Sequence, residues 1–385
     1  MRRSTRHSSC PPTRPSQRHR PRLDAKHDPL IGRLLDERFR LIERVGHGAY
    51  GAVYRAEQIA LHRDVAIKVL DASSGSATDL AERFLSEARA VSRVRHPNTV
   101  AIYDFGRTDD GLLYLVMELI QGVTLTELIA CSMPLPLPRV ISLIAQVAMA
   151  LEAIHLAGLA HADLKSDNLL VQPLPSGELI KVVDFGIAQR LAPASVRALG
   201  RVAPRPDTRA ADAEGASELR IAPHVRGTPG YIAPEVIRGA APDQTADIYA
   251  AGVVLYLLLT GELPFSGRHP AQTLRRQLMA PVLPPSLVRP DVPAGLDHLV
   301  LRATARDPGA RYADVGEMRG AIEAVALDLA PGALPYALCP HTDCSSCGFS
   351  SLHPTTTTAI SISGPISDPG SNPASDPLSG PGNRS

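Results

Sequence analysis

The sequence predicts an α+β fold of two lobes: a small β-rich lobe carrying one long helix, then a larger, mainly α-helical lobe. Three observations carry that expectation. Between residues 39 and 120 apolar and polar residues alternate in short runs, the period of strands. Beyond residue 123 the apolar residues recur at helical spacing. Both ends of the chain lose the large apolar side chains that a core requires. With 385 residues, 44% hydrophobic and 21% charged, disorder throughout is excluded and one large or two modest domains fit. A formal net charge of +1 argues against a generally basic nucleic-acid binder.

The N-terminal flank, residues 1–36, is rich in arginine and proline and reads as a disordered basic tail. Strands are expected at 39–45, 52–58, 65–70, 101–105 and 112–118. One helix, near 78–94, interrupts them: Asp79 can cap it, and Leu80, Phe84, Ala88 and Val91 recur on one face. In the second lobe, 139–155 is apolar on one face, whereas 245–259 is apolar nearly all round and therefore expected to be buried. Residues 329–385 form a cysteine-bearing patch followed by a low-complexity tail of Ser, Thr, Pro and Gly. The longest apolar run, 250–259, is about half a bilayer span, so no transmembrane helix is expected. No apolar signal region follows the N-terminal arginines. Five cysteines, three of them between 339 and 347, do not make a disulfide framework, and a reducing cytoplasm is the expected compartment.

The first chemical signal is Gly46-His47-Gly48-Ala49-Tyr50-Gly51-Ala52-Val53. Alone, this glycine pattern is weak, being shared with dinucleotide-binding folds, where the glycines open a helix. Here they join two strands, where glycine lets backbone N–H groups approach a phosphate. Lys68 follows in Val65-Ala66-Ile67-Lys68-Val69. Of 40 lysines and arginines only four are lysines, at 26, 68, 165 and 181. A compact ammonium at 68 or 165 suits a phosphate as a point charge. On an apolar strand Lys68 needs a partner, and Glu87 on the following helix is the natural one.

The second constellation is His161-Ala162-Asp163-Leu164-Lys165-Ser166-Asp167-Asn168. Asp163 can accept a proton from an attacking hydroxyl, Lys165 can stabilise charge on a transferring phosphoryl, and Asn168 is a neutral oxygen ligand suited to magnesium. Asp184, in Lys181-Val182-Val183-Asp184-Phe185-Gly186, ends an apolar strand as a second hard-cation ligand. Taken singly, each acid fits a plain loop carboxylate equally well.

Their joint order resembles the signature of the protein kinases, and the chain is similar to the bacterial, eukaryotic-like serine/threonine protein kinases. The matches are Gly46, Gly48, Gly51 and Val53, Lys68, Asp163 and Asn168, Asp184-Phe185-Gly186, and Ala233-Pro234-Glu235. The resemblance implies a protein kinase-like fold over residues 37–328, with lobes at 37–119 and 123–328. It also implies transfer of the γ-phosphoryl of ATP, with magnesium or manganese, to protein Ser/Thr hydroxyls in bacterial signalling. On the same ground Lys68 pairs with Glu87, Asp163 is the catalytic base, and Asn168 and Asp184 hold the metal. Val45, Val53, Ala66 and Leu170 would sandwich the adenine; Met117 would be the gatekeeper, with Glu118 and Ile120 at the adenine edge. His47, Ala49 and Tyr50 belong to the loop over the phosphates. Thr228 would touch Asp163 and Lys165, Asp247 would anchor the catalytic loop, and Arg311 would partner Glu235. A scaffold without transfer activity and a small-molecule kinase are the competing readings; Glu235 and Gly227-Thr228 favour a protein acceptor.

Two departures stand out. Ala162 occupies the place where the family carries an arginine that grips a phosphorylated activation loop, so activity is expected to depend little on such phosphorylation. The 52 residues from Asp184 to Glu235 make a long segment, and 190–222, rich in Ala, Arg and Pro, reads as a mobile insertion. In it Ser195, Thr208 and Ser217 are candidate phosphorylation sites, and Arg197, Arg201, Arg205 and Arg209 a candidate grip on an acidic substrate. Cys339, His341, Cys344 and Cys347 offer four zinc ligands, but the crowding of His341 against Cys339 argues against a compact tetrahedral site.

Overall fold

The computed structural model describes residues 28–48, 51–70, 86, 88–184, 221–222 and 227–329, with backbone alone at 47 and 48. The first lobe is an antiparallel sheet of six strands. They are β1 (Leu34–Leu35), β2 (Phe39–Gly48), β3 (Gly51–Gln58), β4 (Arg63–Leu70), β5 (Ile102–Arg107) and β6 (Leu113–Met117), in the order β1-β2-β3-β4-β6-β5. Side chains of a strand alternate between faces, and this sheet uses both. Val65, Ile67, Val69, Tyr114 and Val116 build an outer core with Leu35, Phe39, Leu41 and Tyr54. Ala66, Leu70, Leu113, Leu115 and Met117 face inward, onto Ala88 and Val91 of the helical residues 88–91. The start of that helix, with Asp79, Leu80 and Phe84, lies outside the described residues.

The N-terminal boundary needs correction. Residues 28–36 are part of the fold rather than the end of a disordered tail. Leu35 is fully buried, and β1 pairs with β2 through Leu34–Arg40 and Leu35–Phe39. The Asp28 carboxylate accepts from the Tyr54 hydroxyl at 2.9 Å and the Leu30 N–H at 3.1 Å, and Asp36 accepts from Tyr114. A two-residue strand is too short to display a period, so composition hid it. The tail upstream of residue 28 lies outside the described residues, as do the cysteine patch and the low-complexity tail.

The second lobe opens with β7 (Val123–Thr124) and α1 (Leu125–Ser132). Thr124 caps α1 reciprocally with Glu127, satisfying two N–H groups that a helix start leaves unpaired. Helix α2 (Leu137–Leu156) follows, then the hairpin β8 (Leu169–Leu174) and β9 (Gly177–Val182), which forms a small sheet in the order β7-β8-β9. The remaining helices are α3 (Pro234–Ile237), α4 (Gln244–Thr260), α5 (Pro270–Met279), α6 (Ala294–Ala303) and α7 (Val315–Leu329). Asp243 caps α4 by accepting from the N–H groups of Thr245 and Ala246 at 2.9 and 3.1 Å. From Ala246 to Leu259 every residue of α4 is buried, which answers its all-round apolar sequence. Gly252 lets α6 approach: a Cβ there would lie 2.7 Å from that of Ala303. Among the described residues α2 is long and apolar enough to cross a membrane, although no such helix was expected. Most of its apolar stretch is buried inside this lobe.

Candidate active site

The glycine segment is the hairpin between β2 and β3, with Gly46 opposite Val53 and Gly48 opposite Gly51. Gly51 has φ +141°, and a Cβ there would sit 2.0 Å from the Val69 carbonyl oxygen, so the close approach of β4 demands glycine. Ala49 and Tyr50 lie outside the described residues. Val45 precedes the glycines on β2; Val53 packs against the inner core, and Ala66 and Met117 are buried cross-strand partners.

Lys68 stands on β4 between Val53 and Leu115. Its Nζ donates to Asp184 Oδ1 at 2.8 Å, joining residues 116 apart in sequence. Glu87, its expected partner, lies outside the described residues.

The catalytic segment leaves α2, turns through Gly158 and ends in β8. Its shape is set by Asp247, 1% exposed on α4. One Asp247 oxygen accepts from the His161 N–H at 2.7 Å and from His155 Nε2 at 2.9 Å; the other accepts from the Ala162 N–H at 2.9 Å. Ala162 has φ +64°, a left-handed conformation costing roughly 1–2 kcal/mol for a residue with a Cβ. The Asp247 bonds hold it there. His161, fully buried, adds a contact between Nε2 and the Val183 carbonyl at 3.1 Å.

Around Asp163 the side chains converge. Lys165 Nζ donates to Asp163 Oδ2 at 2.9 Å and to Thr228 Oγ1 at 3.0 Å. Asn168 Nδ2 donates to the Asp163 carbonyl at 2.9 Å, committing the amide nitrogen and leaving Oδ1 as the atom available to a cation. The Val183 N–H donates to the Asn168 carbonyl at 2.9 Å, which seats Asp184, at φ +57°, beside Asn168. An amide oxygen and a carboxylate are hard donors, so this pair fits a divalent cation shared with phosphates. Among the described residues no group of three or more His, Cys, Asp or Glu is placed to hold a metal. Cys339, His341, Cys344 and Cys347 lie outside them. A small, partly open pocket beside Asp163 is lined by Ala162, Thr228, Ile232, Val236 and Ala250.

The segment beyond Thr228 is clamped from two sides. Arg311, whose side chain is fully buried, donates to both carboxylate oxygens of Glu235 at 2.7 Å. Gln277 on α5 accepts from the Gly230 N–H and donates to the Ile232 carbonyl, both at 2.9 Å. Sequence reasoning missed Gln277, and also Ser166, whose hydroxyl meets the Tyr231 hydroxyl at 2.9 Å. It left Lys181 without a role, yet Lys181 Nζ donates to Glu118 Oε2 at 2.8 Å. The rarity of lysine in this chain was the available signal. Ile120 packs beside Glu118 against the inner core, and Leu170 pairs across strands with Lys181. Of the expected insertion 190–222, residues 190–220, with Ser195, Thr208, Ser217 and the four arginines, lie outside the described residues; at its end, the Ala222 N–H donates to the Ile237 carbonyl at 2.9 Å.

A lysine-bearing sheet over a helical lobe, with an aspartate, an asparagine and a second aspartate gathered beneath it, defines the class of two-lobed phosphotransferases. The chain belongs to the protein kinase family: residues 39–313 match the protein kinase domain. Bacterial serine/threonine kinases are among its relatives. It is 38% identical over 320 residues to the serine/threonine-protein kinase Pkn1 of Myxococcus xanthus, covering 83% of this chain and 41% of that one. It is 37% identical to PknL of Mycobacterium tuberculosis, covering 79% and 69%. The crystal structure of the PknI kinase domain of M. tuberculosis superposes with a TM-score of 0.55 at 26% identity, over 77% of this chain and 98% of that one. The chain spans well under two thirds of the length of Pkn1.

Proposed function

We propose that this chain is an active serine/threonine protein kinase that transfers the γ-phosphoryl of ATP to protein hydroxyls in bacterial signal transduction. The observation that carries the reading is the Lys165 ammonium, held at once by the Asp163 carboxylate and the Thr228 hydroxyl. Asp163 accepts the proton of an acceptor hydroxyl seated beside Thr228. Lys165 stays close to the transferring group and stabilises its developing charge. Lys68 supplies a point charge to the nucleotide phosphates from the opposite lobe. Asn168 and Asp184 would hold magnesium, which when bound neutralises charge on the phosphates. The backbone at Gly46, Gly48 and Gly51 would lie over them, and Val53, Ala66 and Leu170 offer apolar surfaces for a purine.

The test is transfer of radiolabelled phosphate from ATP to a generic protein, beside Asp163→Asn. Label on Ser and Thr, reduced about 10²–10⁴-fold in the variant, is expected for loss of a general base. Wild-type protein that labels no polypeptide refutes the proposal. Without a guanidinium at 162, phosphatase treatment is expected to leave the rate unchanged, and a large loss would contradict that. We place the reaction in the cytoplasm, with fractionation of producing cells as the check.

A further inference from the structure

The three described lysines all reach carboxylates within the site: Lys68 to Asp184, Lys165 to Asp163, and Lys181 to Glu118. The first two have roles in the proposed transfer, whereas the third does not. Lys181 is 8% exposed, on β9 two residues before Val183. Glu118, about three quarters buried, begins the connection between the lobes.

Each end of this ion pair is fixed independently. Glu118 donates its N–H to the Ala101 carbonyl at 2.9 Å, and its Oε2 accepts from the Ala101 N–H at 3.4 Å. Lys181 sits opposite Leu170 in the β8–β9 ladder, and directly opposed residues share a face. The next residue, Val182, donates to the Asn98 carbonyl at 2.8 Å and accepts from the Val100 N–H at 3.0 Å. One ammonium therefore joins the residue that begins the interlobe connection to the strand that carries Leu170's partner and leads to Asp184.

We infer that Lys181 is a positioning residue for adenine recognition. It acts through the Glu118 carboxylate, holding the connection so that the Glu118 carbonyl and the Ile120 N–H present a fixed edge to a purine. The inference rests on the proposed kinase reading and extends it to a residue that touches no phosphate. Without the ammonium, Glu118 keeps a partly buried charge supported by one long hydrogen bond, and the carboxylate turns toward water. The connection then loses its lateral tether while the phosphate-binding groups stay in place.

The experiment uses the full chain with Lys181→Met, Glu118→Met, the double variant and Lys181→Arg. For each, KM for ATP and kcat are measured, with inhibition constants for adenosine and for inorganic tripolyphosphate. In Lys181→Met, KM for ATP and the adenosine constant are expected to rise together about tenfold, as for a misplaced binding edge. The tripolyphosphate constant and kcat should stay within about twofold. Glu118→Met should reproduce the shift, the double variant should be no worse than either single one, and Lys181→Arg should recover most of the affinity. An unchanged adenosine constant, tripolyphosphate weakened as much as adenosine, additive single effects, or a change in kcat beyond about twofold overturns the inference. Should Lys181→Met fail to fold, the more exposed Glu118→Met decides by the same constants. Wild-type protein that neither binds nor uses ATP would instead refute the kinase reading, an arm read before any variant.

Discussion

Replacing Asp247 by Asn probes how the catalytic segment keeps its shape. The carboxylate serves three donors: the N–H groups of His161 and Ala162 and the His155 ring. Hydrogen bonds to a charged group contribute about 1.5–3 kcal/mol each. An amide has a single acceptor oxygen, so it satisfies one side and turns an NH₂ group toward the other. At 1% exposure no water replaces what is lost. One buried N–H left unpaired, or facing another donor, costs about 1–3 kcal/mol, and the strained backbone of Ala162 loses its tether. The expected loss is about 2 kcal/mol, a fall of roughly 3 °C in Tm for a folded region of about 290 residues. Relaxation of Ala162 displaces Asp163, its neighbour, and a shift of about 1 Å in a reacting group can lower kcat on the order of 10²-fold. Thermal denaturation and single-turnover phosphotransfer measure the two effects. A variant with unchanged Tm and unchanged kcat refutes the claim that this carboxylate holds the loop.

Three other outcomes are expected. Arg311→Met strands the Glu235 carboxylate and should cost about 3–5 kcal/mol in denaturant unfolding; Arg311→Lys should recover less than half, since an ammonium cannot match the fork. Gly51→Ala drives a methyl into the Val69 carbonyl and should destabilise by about 1–3 kcal/mol by thermal melting, with a higher KM for ATP. Burial holds His96 below its ordinary 6.5, while its Nδ1 accepts from the Asn98 N–H at 3.1 Å. The unfolded chain thus binds this proton first. The His96 contribution is complete above pH 6.5 and is lost as pH falls from there toward the lowered folded value. His96→Gln should flatten the decline in Tm between about pH 7 and 5, and an unchanged slope would contradict the assignment.

What was legible in the sequence was local. Short apolar or alternating runs located β2 to β6: β4 and β6, buried on both faces, are near-continuously apolar, whereas β3 buries alternate residues. The helix α4 announced itself because it is surrounded. Glycines at 46, 48 and 51 identified a hairpin because the next strand alternates. The illegible parts depend on pairing at a distance. Lys68 with Asp184 spans 116 residues, His155 with Asp247 spans 92, and Lys181 with Glu118 spans 63. No periodicity encodes such partners. The Asp247 contacts were expected only through resemblance, and Gln277 reads as one more polar residue on an amphipathic helix.

The segment 28–36 has a practical consequence. The family match begins at residue 39, and a fragment started there would lack the strap across the back of the first lobe. Two phenols, Tyr54 and Tyr114, would lose their acceptors, and Phe39 and Leu41 their cover from Leu35. Such a shortened kinase would expose an oily sheet to its neighbours in solution and clump, although every catalytic group remained in place.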